Sequence, residues 1–169
     1  IPFPARAERF ERLEETLQIV HHMWVGEPAP FEGRHYRLEE PLNNPQPVAR
    51  PHPPILIGGG GERRTLRLVA QYGDACNILV PDPGQSRRKL EALKRHCDAV
   101  GRGYEEIEKT SLVEIDLRPG RMSSRDVVAT LGGQAREGIE HVIVNLPDAH
   151  EVRYIERLGR DVLPEVASA

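Results

Sequence analysis

Along this chain the spacing of apolar residues switches repeatedly between helical and strand periods, and each switch marks an element. From Ala5 to Trp24, residues Phe10, Leu13, Leu17, Val20 and Trp24 recur at helical spacing, and Arg9, Glu11, Arg12, Glu14 and Glu15 supply a polar side. The pattern predicts an amphipathic helix, with Pro4 suited to its first turn and Gly26 and Pro28 ending it. Residues 26–54 hold no period and are dense in proline, with Asn43-Asn44 among them. Inside this stretch Phe31 to Leu38 predicts a small hairpin, with Gly33 in its turn and Tyr36 and Leu38 on its second arm. Loops of this length in a compact domain are usually functional or held by packing, so 26–54 is expected to be an insertion that serves as a lid or covers one end of the core.

From Pro53 onward the spacing alternates regularly. Ile55 to Ile57 is a short apolar run between proline and glycine, which predicts a parallel strand buried on both faces. Gly58-Gly59-Gly60-Gly61 follows, and then Leu66, Val69, Ala70 and Gly73 share one side of a helix. Ala75 to Val80 reads as a second buried strand, closed by Pro81-Asp82-Pro83-Gly84. A helix from Gln85 to Val100 places Leu90, Leu93, Cys97 and Val100 on one face and ends at Gly101-Arg102-Gly103. Thr110 to Leu117 predicts a third strand through Leu112, Val113, Ile115 and Leu117. Ser124 is the expected N-cap of a helix bearing Val127, Val128, Leu131 and Ala135. Gly132-Gly133 weakens that helix by about 1 kcal/mol per glycine, so an irregular last turn is expected. Gly138 to Leu146 is the fourth strand, and Asp148 is expected to cap a last helix carrying Val152, Ile155, Leu158 and Val162. Four β-then-α units in succession call for an α/β fold with a parallel sheet and right-handed crossovers. A flavodoxin-like sheet and half of a (β/α)₈ barrel both satisfy the pattern, since a barrel takes about 250 residues and eight units.

With 169 residues and a formal net charge of -3, the chain suits one domain over 1–169 and shows no basic surface for nucleic acid. No segment approaches the roughly 20 apolar residues of a membrane span, so a soluble, cytoplasmic protein acting on a small-molecule substrate is expected. Cys76 and Cys97 lack close cysteine partners and read as buried free thiols. Residue 1 is Ile, and the opening Ile1-Pro2-Phe3-Pro4 suggests part of a longer protein.

The candidate chemistry centres on Gly58 to Gly61 with Glu62, Arg63 and Arg64. A strand, a glycine loop and a helix in that order bring free amides together at one point, which suits an anion. The same residues also suit a βα turn whose glycines only permit a tight approach to the helix. The pattern is neither a Walker loop nor G-x-G-x-x-G, since Arg63 stands where the last glycine would be. His21-His22 diverge by about 100° on a helix and cannot share a metal, and His35, His52, His96, His141 and His150 are scattered, so no metal is expected. No G-x-S-x-G elbow occurs. Glu14-Glu15 reads as part of a solvated helix face.

Taken together, the ordered motifs resemble the luciferase-like flavin and deazaflavin oxidoreductases, and within them the coenzyme F420-dependent branch. The motifs are Glu8 through Glu15 to Trp24, Phe31-Glu32-Gly33-Arg34-His35-Tyr36, Asn44 to Val48, Arg50 to Glu62, Gly73 to Asn77, and Gly138 to Val142. The resemblance implies a (β/α)₈ barrel with this chain on its carboxyl-terminal half, strands five to eight. It implies that the amides of Gly58, Gly59, Gly60 and Gly61, with Glu62 and Arg63, hold the cofactor phosphate. Asn77 and Asn145, near strand ends where the active sites of such barrels lie, are candidates to face the pocket or to serve in loop hydrogen bonding. Coenzyme F420 is the implied cofactor, with FMN as the alternative. The family's first four strands, which supply much of the deazaflavin pocket and most proton-transfer candidates, have no counterpart here, so no catalytic residue is named. Four parallel strands also leave two open edges, so a homo-oligomer is expected, and a non-catalytic half-barrel that self-associates is the rival reading.

Overall fold

The computed structural model describes residues 3–26, 28–79 and 84–167, and the chain divides into two compact units, 1–55 and 56–169. In the first unit α1 (Arg6–Val25) ends at Gly26 in the left-handed conformation. A two-residue antiparallel pair follows, β1 (Phe31–Glu32) with β2 (Arg37–Leu38), and the Gly33 amide donates to the Tyr36 carbonyl across the turn.

This hairpin is fastened to α1 by acids that the helical pattern assigned to solvent. Glu15 accepts the amides of Arg34, His35 and Tyr36 at 2.8–3.2 Å, and Glu11 meets His35 Nε2 at 2.8 Å and Arg34 at 2.9 Å. Partial burial pushes the Glu15 carboxyl up, but the three amides outweigh it and hold the group below its ordinary value. Glu15 is therefore a structural anchor. Gly33 is required here because the Glu15 carboxylate occupies the space where a Cβ would stand.

The second unit is a four-stranded parallel sheet in the order β3-β4-β5-β6: β3 (Leu56–Gly58), β4 (Ala75–Leu79), β5 (Glu108–Glu114) and β6 (His141–Asn145). Between the strands run α2 (Thr65–Tyr72), α3 (Gln85–Val100) and α4 (Ser124–Arg136), and after β6 come α5 (Val152–Asp161) and α6 (Leu163–Ala167). Each strand pairs with its sequence neighbour, so every crossover is one β-α-β unit. This is the architecture expected of half a (β/α)₈ barrel. Val80, Pro81, Asp82 and Pro83, the expected end of the second strand, lie outside the described residues.

The helices cover one face of the sheet. Ile57, Cys76 and Ile78 lie on that face, and Ile115, Leu117, Val127, Leu131, Tyr154 and Val162 form a core cluster beyond it, reached by Val113, Val142 and Val144. Both cysteines are free and buried, and burial pushes their thiols up.

Several local expectations shift for identifiable reasons. The strand expected at Ile55 to Ile57 runs from Leu56 to Gly58, and it is buried on one face only, with Leu56 49% exposed. Val100 is exposed and Ala92 replaces it inside α3. The N-cap of α4 is Ser123, one residue early, because Asp126 completes a capping box with it. Gly132-Gly133 leave α4 regular through Arg136, held by its packed face. Asp148 does not cap α5. That helix starts at Val152 without a side-chain cap and buries Tyr154 and, past its end, Val162, leaving Val152 and Ile155 exposed.

Candidate functional site

Parallel β-α units place their strand ends and the following helix starts on one side, where active sites of such folds lie. There the chain leaves β3 through Gly58 to Arg64 before α2. Gly59 takes φ +119°, a conformation that L side chains rarely adopt, and its amide donates to the Asn77 carbonyl at 2.8 Å, which pins the loop to the next strand. His96 of α3 donates from Nε2 to the Glu62 carbonyl at 2.7 Å and fixes the far end.

So held, the loop forms a cradle. The amides of Gly60, Gly61, Glu62 and Arg63 meet no acceptor among the described residues. A Cβ on Gly61 would stand 2.9 Å from Thr65 Oγ1, and one on Gly60 would collide with the Lys89 amine and lie 3.1 Å from its Cε. The N-cap position of α2, Arg64, supplies no side-chain cap to the helix. Four amides and an uncapped helix start make a concentration of positive partial charge suited to an anion. A phosphate fits this cradle, because its oxygens accept several such donors at once.

The charges around the loop are asymmetric. Glu62 pairs with Arg88 at 2.9 Å, whereas Arg63 is exposed and has no ion pair among the described residues. Lys89, from the first turns of α3, reaches across Gly60 and donates to the Leu79 carbonyl at 3.3 Å. Asn77 turns its amide to Thr110 Oγ1 at 2.9 Å, on the sheet face away from the helices. Asn145 is exposed, and its carbonyl accepts the Ile115 amide at 3.0 Å. The structure thus gathers Gly58 to Arg63 beside Asn77, which is the central residue of β4 rather than its end, and sets Asn145 two strands away at the end of β6. Lys89 and Thr65 carried no signal of this site in the sequence, and His96 and Thr110 stood there only as a scattered histidine and the start of a strand. A lysine on the polar side of an amphipathic helix carries no signal of the loop it crosses.

A separate cavity of about 540 Å³ lies between the loop after β5 and α5, lined by Arg118, Arg121, Arg153, Arg157 and Arg160 among others. Most of its cations are already matched. Arg118 grips Asp116 through two bonds of 2.7–2.8 Å and approaches Asp148, Arg121 shares Asp116, Arg153 pairs with Glu151, and Arg160 with Asp161. The Arg118 bonds hold the Asp116 carboxyl down at about 2. This is a cross-linked rim.

A family model described as luciferase-like monooxygenase matches residues 5–157. The chain is 31% identical over 126 residues to the F420-dependent glucose-6-phosphate dehydrogenase of Nakamurella multipartita, covering 72% of this chain and 35% of that protein. It is 32% identical over 123 residues to the protein of the same name from Kineococcus radiotolerans, covering 69% and 34%. The chain therefore spans about a third of the length of these curated relatives. Among solved structures, an F420-dependent secondary alcohol dehydrogenase in complex with an F420-acetone adduct superposes with a TM-score of 0.83 at 14% identity, covering 98% of this chain and 64% of that one. EDTA monooxygenase from Chelativorans sp. BNC1 follows at 0.79 and 15%, covering 99% and 61%. At these identities the superpositions speak to the fold.

Proposed function

Because the chain belongs to the luciferase-like monooxygenase family, we propose that it carries the phosphate end of the cofactor site in an F420-dependent oxidoreductase acting on a small organic substrate. The observation that carries this reading is the cradle after β3, where four amides without acceptors and an uncapped helix start converge beside two basic side chains. The names of the two dehydrogenase relatives support F420 as the group bound. When bound, the deazaflavin supplies hydride transfer at its C5. The residues of this chain do the positioning: the amides of Gly60, Gly61, Glu62 and Arg63 hold the phosphate, while Gly58 and Gly59, tied to Asn77, set the loop against β4.

FMN is the second reading, since its phosphate would meet the same amides and a monooxygenase shares the fold. The decisive experiment titrates the full-length protein with F420 and FMN in parallel, following cofactor fluorescence. The expected result is preferential F420 binding that is abolished by Gly60→Val, whose side chain would fill the cradle. Preferential FMN binding shifts the assignment to the flavin branch. Binding of neither at tens of micromolar, about -6 kcal/mol, overturns the cofactor assignment.

The assembly belongs to the same proposal. β3 and β6 are edge strands within the described sheet, and the face opposite the helices exposes leucines, so association with a further β/α unit is expected, in a second copy or elsewhere in a longer chain. A monomer of the 169-residue chain in sedimentation, without binding of an apolar dye, would contradict this.

A further inference from the structure

The cofactor reading assigns the phosphate to backbone amides and leaves Lys89 without a role. Resting on that reading, we propose that Lys89 is the cation that clamps the bound phosphate onto the glycine loop, so that the site discriminates for phosphorylated over phosphate-free forms of the chromophore.

Three observations converge on this residue. The first is position: the amine lies over Gly60, where a Cβ would displace it, which places a full positive charge beside the free amides of Gly60 and Gly61. The second is charge balance. Glu62 is the one acid in the stretch from Gly58 to Arg64, and it is taken by Arg88 from the neighbouring helix position at 2.9 Å. Lys89 pairs with no carboxylate among the described residues. The third is unused capacity. An ammonium has three donors, and among the described residues Lys89 makes a single long bond of 3.3 Å, to the neutral Leu79 carbonyl. The ammonium therefore keeps donors that an anion on the loop would engage in charge-assisted bonds. The geometry also separates the two neighbouring basic residues of α3: Arg88 shapes the loop by neutralising Glu62, and Lys89 is left for the ligand.

The test measures dissociation constants of the full-length protein, as wild type, Lys89→Gln and Lys89→Arg, for F420 and for the phosphate-free deazaflavin alcohol that is its chromophore. Loss of one charge-assisted contact predicts a roughly 10- to 100-fold weaker F420 affinity in Lys89→Gln. Little change is expected with the phosphate-free compound, and Lys89→Arg should restore most of the loss. The salt dependence of F420 binding should also flatten in Lys89→Gln. An equal loss on both compounds, or no loss on F420, overturns the role of Lys89 while leaving the cofactor reading intact. If wild type binds neither compound, the cofactor reading fails and inorganic phosphate becomes the probe. Thermal stabilisation of wild type but not of Lys89→Gln would then keep the clamp as an anion site, and no stabilisation of either would remove it.

Discussion

On the helix-covered face of the sheet Ile57, Cys76 and Ile78 are 6%, 0% and 0% exposed, whereas on the opposite face Leu56, Leu79, Leu112 and Ile143 keep 36–54% of their surface. Register makes the contrast sharp, because Leu79, Leu112 and Ile143 stand side by side across three strands, one residue beyond the buried Ile78 and Ser111 and the partly buried Val142. The opposite face also carries Asn77, Glu108, Thr110, Glu114, His141 and Asn145, yet its leucines and Ile143 give it an apolar row of its own, as in parallel strands covered on both faces. One layer of helices is present for one face, and in a closed barrel the other face turns inward. Apolar content thus reports how many faces a strand is built to bury, while only the packing shows which of them is buried within these residues.

Exchanging neighbours across that divide should produce the largest difference. Ile78→Ala removes a fully buried side chain and is expected to cost about 2–5 kcal/mol in denaturant unfolding, whereas Leu79→Ala, on the open face, should cost under about 0.5 kcal/mol in the 169-residue chain. Equal losses would mean that the open face is covered in solution. A second contrast uses the one charge on the covered face. Lys109 is 4% exposed, with its amine 2.8 Å from Glu140 and 4.7 Å from the centre of the Tyr104 ring, whose hydroxyl burial pushes up to about 12. Glu140→Gln should destabilise by about 1–3 kcal/mol, less than a fully buried pair because Glu140 is half exposed, while Lys109→Met should be neutral or stabilising. The reverse order in thermal melts would show the pair to be a net source of stability.

Smaller effects lie at the rim. Ser123→Ala should cost about 0.5–2 kcal/mol through loss of the α4 capping box, measured by denaturant unfolding. Asp116, held down at about 2 by Arg118, binds its proton more weakly folded than unfolded. Its stabilising contribution is therefore complete above about pH 4 and lost as pH falls toward 2. A comparison of melting temperatures for wild type and Asp116→Asn should show a gap at pH 5 that closes by pH 2. Least in energy but most direct for assembly, Leu112→Asp should leave the melting temperature nearly unchanged and abolish self-association or apolar-dye binding; a large drop in stability would place Leu112 inside a folded core.

How much was legible depends on the distance over which each feature is decided. The four strands and their helices were readable because runs such as Val142 to Val144 and Leu90 to Cys97 encode period locally. Boundaries were less so: Gly58 joins β3 because it pairs with Asn77, and Ser123 rather than Ser124 caps α4 because Asp126 reaches back to it. The apolar face of α5 was read through Val152 and Ile155, whereas the core takes the ring of Tyr154 between them. Glu15 gave no warning, since the amides it binds lie 19–21 positions away.

By itself the sequence determined the order of β-α units, the glycine loop after the first strand and the likeness to luciferase-like enzymes, since all three are written in short-range spacing and ordered motifs. Tertiary structure decided which sheet face is covered, that Glu15 anchors a hairpin, and that Glu62 is neutralised by Arg88 while Lys89 crosses Gly60. Periodicity says which side chains point the same way. What stands opposite them, and so whether a charge is balanced or left for a ligand, depends on chain segments brought together only by folding.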